Sequence, residues 1–185
     1  MSSLIFGSLY GASVWDVQLV DKDKKNTHSC GAYTANNLDK ASRMAMRNES
    51  RDLYRPILKA IISDCIKLKS TVESHQVLLD VLIKETCLEV DQLINLATHS
   101  SANKGEVWPY SYEATMPDKP ATILFSQTFQ IFDHQCVIVD SLIRTQWLPP
   151  SHGKQLHKKL VHLIRNFMQT TAETINVAKN SKILT

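Results

Sequence analysis

Glycine and proline are scarce in this chain, five and six among 185 residues. A many-stranded sandwich or barrel needs frequent turn residues, so the shortage argues against both. No run of about 18 apolar residues occurs, which excludes a transmembrane helix on length. The N-terminal "MSSLIFGSLYGAS" lacks the basic start of a secretory signal. The expectation is a soluble, cytoplasmic protein without a membrane partner. Cysteines number four, Cys30, Cys65, Cys87 and Cys136, and no Cys-x-x-Cys spacing occurs. Three fall on apolar helical stripes, where a reduced thiol behaves as a small hydrophobe, so neither a zinc site nor a disulfide framework is expected. There is also no glycine-rich phosphate loop, no Gly-x-Ser-x-Gly elbow and no His-Glu-x-x-His. Nothing asks for a cofactor or an enzyme.

What is present is apolar and helical. Hydrophobic residues make up 43%, enough to bury a core. The net charge of +3 hides a segregation. Residues 61–143 carry five Lys/Arg against eleven Asp/Glu, and residues 144–185 carry seven against one. Such polarity suits different faces with different tasks, or segments that pack against one another.

Apolar spacing predicts a succession of helices. One begins near Arg55-Pro56 and runs to about 69, with Ile61, Cys65 and Leu68 inward. Another covers about 73–98, with Leu78 and Leu82 widening a stripe through Leu79, Ile83 and Ile94. Residues 99–120 read as a linker packed by Trp108, Tyr110 and Tyr112. The helix at about 121–146 is apolar on two sides, with Phe125, Phe129, Phe132, Cys136 and Val139 stepping by four and three. That pattern belongs at the centre of a bundle or at a dimer interface. Asp140 and Arg144 are spaced for an ion pair. The last helix, about 152–178, is capped by Ser151. It buries Leu156, Leu160, Leu163 and Phe167, and carries Lys154, Lys158, His162 and Arg165 on the opposite side.

Two clusters resemble sites. "DHQC" at 133–136 joins Asp, His and Cys, but neighbours on one helix point in different directions and Cys136 belongs to the aromatic stripe. His152, His157 and His162 are spaced by five, which does not share a helical face as metal ligands must.

The N-terminal third is read differently. Residues 1–29 form an N-terminal segment in which "SVWDVQLVD" alternates as a short strand, followed by a polar loop at 21–29. Residues 30–36 read as a second strand, favoured by Tyr33 and Thr34. A short basic helix at 38–47 follows, with Asn36 or Asn37 as its N-cap. Strand, basic helix and longer helix occur in the order of a ribbon-helix-helix module, in which two chains pair strands and insert the ribbon into the major groove. Thr34 and Asn36 would contact bases. Lys40, Arg43, Arg47 and Arg51 would hold the DNA backbone. The other reading is a solvated helix face with a capping Asn. The basic face of the last helix is a second candidate for nonspecific contact with double-stranded DNA, or again a solvated face.

Three stretches, "LDKASRMAMR" (38–47), "LLDVLIKETCLEVDQLINL" (78–96) and "FQIFDHQCVIVDSLIRTQWLPPSHGKQLHKKLVHLIRNFM" (129–168), together resemble a protein family of conjugative plasmids and integrating conjugative elements. That family includes the conjugation regulator AcaB. The resemblance implies a homodimeric, ribbon-helix-helix-like transcriptional regulator with an added helical domain, and the transcription machinery as a further partner. The whole expectation is a mainly α protein with a short N-terminal β ribbon. It comprises residues 1–29, a DNA-binding module at 30–70, and a helical bundle at 71–185. The rival expectation is a helical accessory that docks onto a conjugation or relaxosome component and does not touch DNA.

Overall fold

The computed structural model describes residues 2–19 and 30–181. The fold is mainly helical, with a short antiparallel ribbon at its N-terminal end. Among the described residues the order is β1 (Ser2–Phe6), α1 (Leu9–Trp15), a 3-10 turn (Val17–Leu19), α2 (Gly31–Met46), α3 (Arg51–Thr86), α4 (Val90–Ala102), β2 (Tyr112–Met116), α5 (Pro120–Arg144) and α6 (Pro150–Ser181).

The ribbon forms within one chain, and at a different place from the one expected. β1 pairs with β2 in antiparallel register, Leu4 opposite Ala114 and Phe6 opposite Tyr112. Leu4, Phe6, Ala114 and Met116 face the core while Ile5 faces out, the period-two alternation of a half-buried sheet. The segment at 30–36 is helical instead. Cys30 is the N-cap of α2, its sulfur accepting from the Tyr33 amide at 3.5 Å. The Thr34 hydroxyl donates to the Cys30 carbonyl. Gly31, Thr34, Ala35, Leu38, Ala41, Ser42 and Ala45 are buried, and that spacing is one helical face. Packing of that face overrides the strand preference of Tyr33 and Thr34. Gly31 lets the helix start close to the aromatic core, because a Cβ there would lie 2.5 Å from Trp15 Cε3. Of the strand expected over 13–21, residues 13–15 end α1 and residues 17–19 form the 3-10 turn, while 20 and 21 lie outside the described residues. The polar loop at 21–29 lies outside the described residues.

α3 is one helix where two were expected, and it runs unbroken across the expected boundary at 70. Its passage is pinned from the side by α5, where Gln135 Nε2 donates to the Val72 carbonyl at 2.8 Å. The break comes later, at Cys87, whose φ of 57° is left-handed. α4 then opens with a reciprocal capping box between Glu89 and Gln92. Neither Gly nor Pro marks this break, so local chemistry did not announce it. Residues 99–120 contain β2, which the linker reading missed, although Trp108 is buried as expected.

α5 is central. Phe125, Phe129, Phe132, Cys136, Val139, Ile138 and Leu142 are all buried, so both apolar faces are used. One main core joins Leu4 and Phe6 of β1, Leu38 of α2, Cys65 of α3, the α5 phenylalanines, and Leu160 and Ile164 of α6. α6 begins at Pro150, which places Ser151 inside its first turn instead of at its cap. The Asp140–Arg144 pair does not form. Arg144 instead binds Glu106 and Ser101 and lies over the Trp108 ring at 5.4 Å. None of the helices among the described residues is long and apolar enough to cross a membrane.

Candidate functional site

Two cationic surfaces emerge. The first is the outer face of α2. Thr34 does not belong to it. It is 1% exposed, and its hydroxyl is committed to the backbone, so it cannot read bases. Asn37 is buried too, while Asn36 is exposed. Asn36, Lys40 and Arg43 follow at steps of four and three, hence along one line of the helix, and Arg47 is the C-cap residue just past its end. All four are exposed, as is Arg51 at the start of α3. Arg43 is steadied by Asp39, 2.6 Å away. The corner between α2 and α3 is held by the Ser50 hydroxyl, which donates to the Met44 carbonyl at 2.7 Å.

The second surface is a cleft of about 750 Å³ between α1 and α6. Lys154, Lys158, Lys159 and Arg165 of α6 line it, facing Tyr10 and Ser13 of α1. The Tyr10 ring stacks on His157, centroids 4.1 Å apart and 24° from parallel. Val14 and Val161 supply apolar lining. Sequence spacing had placed Lys154, Lys158, His162 and Arg165 together, and the fold keeps them so. It could not show that α1 lies opposite them.

α1 is placed there by Asp133. This buried carboxylate accepts from the Gly7 amide at 2.7 Å, the Ser8 amide at 3.1 Å and the Ser8 hydroxyl at 2.7 Å. Ser8 Oγ in turn accepts from the Gly11 amide as the N-cap of α1. A Cβ at Gly11 would lie 2.0 Å from Asp133 Oδ1, so only glycine permits this approach. Burial pushes the Asp133 carboxyl up, opposed by these hydrogen bonds. In "DHQC" the Asp therefore joins two segments, His134 faces solvent, and the buried Cys136 thiol is pushed well above its ordinary value by desolvation. The three do not converge.

Behind the cleft, His157 Nε2 is 3.5 Å from Asp140 Oδ1 and 3.5 Å from the Cys136 carbonyl. Burial lowers the His157 pKa, which favours the neutral ring. Burial also pushes Asp140 up to about 6, with Arg144 opposing and Asp133 reinforcing. The ordinary Asp value is 3.8, so the folded carboxyl holds its proton more tightly than the unfolded one. Its contribution is fully present below pH 3.8 and lost as pH rises through about 6. Asp140→Asn is therefore expected to stabilise the protein by about 1–2 kcal/mol at pH 8, discounted for partial exposure, and by little near pH 4. His157 titrates with the opposite sign, since its lowered pKa makes stability rise with pH below its ordinary value. That contribution is shared by both proteins and largely cancels. Urea denaturation at the two pH values measures the difference, and a variant less stable than the parent at pH 8 would contradict it.

His152 and His162 are exposed surface histidines, whereas His157, also expected at the surface, is buried. Among the described residues no three His, Cys, Asp or Glu side chains gather where they could hold a metal ion. The missed contributors are Tyr10, Ser8 and Gly11. Their only sequence signal was a small-residue run followed by an aromatic, "GSLYGAS". Compared with known proteins, the chain matches no family model, no curated protein and no solved structure.

Proposed function

We propose that this protein binds double-stranded DNA through the outer face of α2. It acts without a cofactor as a homodimeric, cytoplasmic regulator of conjugation or mobile-element genes. The observation that carries the DNA reading is the exposed line Asn36–Lys40–Arg43 on one 16-residue helix, with exposed Arg47 at its C-cap. An α-helix fits the major groove, so the helix takes the role first assigned to a ribbon. Asn36 offers a bidentate contact to adenine, and Lys40, Arg43, Arg47 and Arg51 reach phosphates. The resemblance to conjugative-element proteins supplies the genetic setting.

Fluorescence anisotropy on promoter-region and scrambled duplexes, across a salt series, tests it. Sequence-preferring binding is expected, with log affinity falling by about 0.9 per log salt for each phosphate contact. Asn36→Ala with Arg43→Ala should weaken specific binding by about 10–100-fold and reduce the salt slope by about one. Unchanged binding by that pair would remove α2 as the site.

A second reading rests on exposed apolar residues of α3. Ile66, Val77 and Val81 line one outward face, beside exposed Leu78, which had been expected inward. Such a patch suits a partner protein. It would serve the homodimer in the first reading, and a conjugation or relaxosome component in the second. Absence of salt-sensitive DNA binding would favour the latter. In the aromatic loop, the Trp108 ring packs against Ala97 and Val137 and so adds nothing to such a surface.

A further inference from the structure

We propose that the cleft between α1 and α6 binds a phosphorylated, ring-bearing ligand of the nucleotide class. Its volume of about 750 Å³ is that of a small-molecule site. Three features specify the chemistry. First, among the described residues the lining holds four cations and no carboxylate. Four cations elsewhere are paired with an acid, Arg43 with Asp39, Lys67 with Asp64, Lys69 with Glu73 and Arg144 with Glu106, whereas in the cleft four cations gather against one another. Lys154, Lys158 and Arg165 share one face of α6 and have no ion pair among the described residues. Like charges at this spacing repel along a helix. A polyanion between them removes the repulsion and gains charge-assisted hydrogen bonds.

Second, the cleft has an aromatic wall. Tyr10 is stacked on His157 and still 40% exposed. His157 is buried within the molecule, so the pair acts as a ring platform backed by protein, and Val14 and Val161 extend its apolar surface. Aromatic platforms beside cations accept any base, because every base has a π-face. Third, the wall is held in place. The Asp133 carboxylate ties the turn before α1 to α5 through three hydrogen bonds. The same chemistry could come from a free nucleotide or from a single nucleic-acid strand. The site is separate from the DNA face of α2 and does not depend on it.

Isothermal titration calorimetry of the full chain with ATP, inorganic triphosphate and a short single-stranded oligothymidylate tests the proposal. ATP or the oligonucleotide should bind at least about tenfold more tightly than inorganic triphosphate, through the ring platform. Lys158→Glu with Arg165→Glu changes only exposed side chains. It should abolish binding while the circular dichroism melting curve stays unchanged. Tyr10→Ala should lower affinity for the ring-bearing ligand about tenfold and leave triphosphate binding alone. Tighter ATP binding identifies a free nucleotide, and tighter oligonucleotide binding identifies a strand. No binding of either ligand, binding that survives the double charge reversal, or triphosphate binding as tight as ATP would overturn it. Asn36→Ala with Arg43→Ala should leave cleft binding intact, so the two sites fail separately.

Discussion

Asp133→Ala is expected to destabilise the protein by about 3 kcal/mol and to detach α1 from α5. The carboxylate accepts three hydrogen bonds, from two amides and a hydroxyl at Gly7 and Ser8. Removing it orphans all three donors, at about 1–3 kcal/mol for each that stays buried. Part of that loss is offset, because burial of the carboxylate is itself unfavourable and raises its pKa. Asp133→Asn keeps one oxygen for Ser8 but turns an NH2 group toward the Gly7 amide, so a smaller loss of about 1–2 kcal/mol is expected. Urea denaturation gives the magnitudes. Hydrogen exchange at Gly7, Ser8 and Gly11 gives the location, since their protection should fall further than that of the α5 amides. An alanine variant within about 1 kcal/mol of the parent would show that water replaces the carboxylate and that α1 is held by other contacts. Because α1 carries Tyr10, the same variant should also weaken ligand binding in the cleft.

Phe129→Ala should cost about 3–5 kcal/mol. This ring is fully buried and lies edge-on to four others. Its centroid is 5.9 Å from Phe6, 5.2 Å from Trp15, 5.5 Å from Phe125 and 5.3 Å from Phe132, at 74° or more. Edge-to-face pairs add about 0.5–1.5 kcal/mol each beyond area burial. The cluster joins β1, α1 and α5, so the cavity would open where three elements meet and could close only by moving them. Phe129→Leu should recover about half of the loss. A double-mutant cycle with Trp15→Ala should be non-additive, as expected for residues in contact. Additivity in that cycle would show the rings to be energetically independent despite their geometry.

The helical bundle was legible wherever a helix is long and strongly patterned. The four-and-three spacing of the α5 phenylalanines announced a helix apolar on two sides, and the structure buries both. The basic line of α6 was legible for the same reason. α2 was only half legible. Its buried face is built from Gly31, Thr34, Ala35, Ala41 and Ser42, too small or polar to register as a hydrophobic stripe. Tyr33 and Thr34 meanwhile signalled a strand. Glycine is required at 31 because α2 starts against Trp15 and Phe129, a proximity no window of neighbouring residues contains. The error carried into the candidate site. With 30–36 helical, Thr34 turns inward, whereas Asn36 joins the line of Lys40 and Arg43.

Sequence alone determined the long patterned helices, the two-faced centre and the separation of charge along the chain. Those properties depend on residues three or four positions apart, which share a face wherever the helix is placed. Tertiary structure alone decided the ribbon, the Asp133 hydrogen bonds to Gly7 and Ser8, and the cleft. β1 finds its partner more than a hundred positions away. Ser8 and Asp133 are 125 residues apart, yet their hydrogen bonds set Tyr10 opposite the cations of α6. Contacts of that range leave no periodic trace in a sequence, because they are selected by packing of the whole core and not by local conformation.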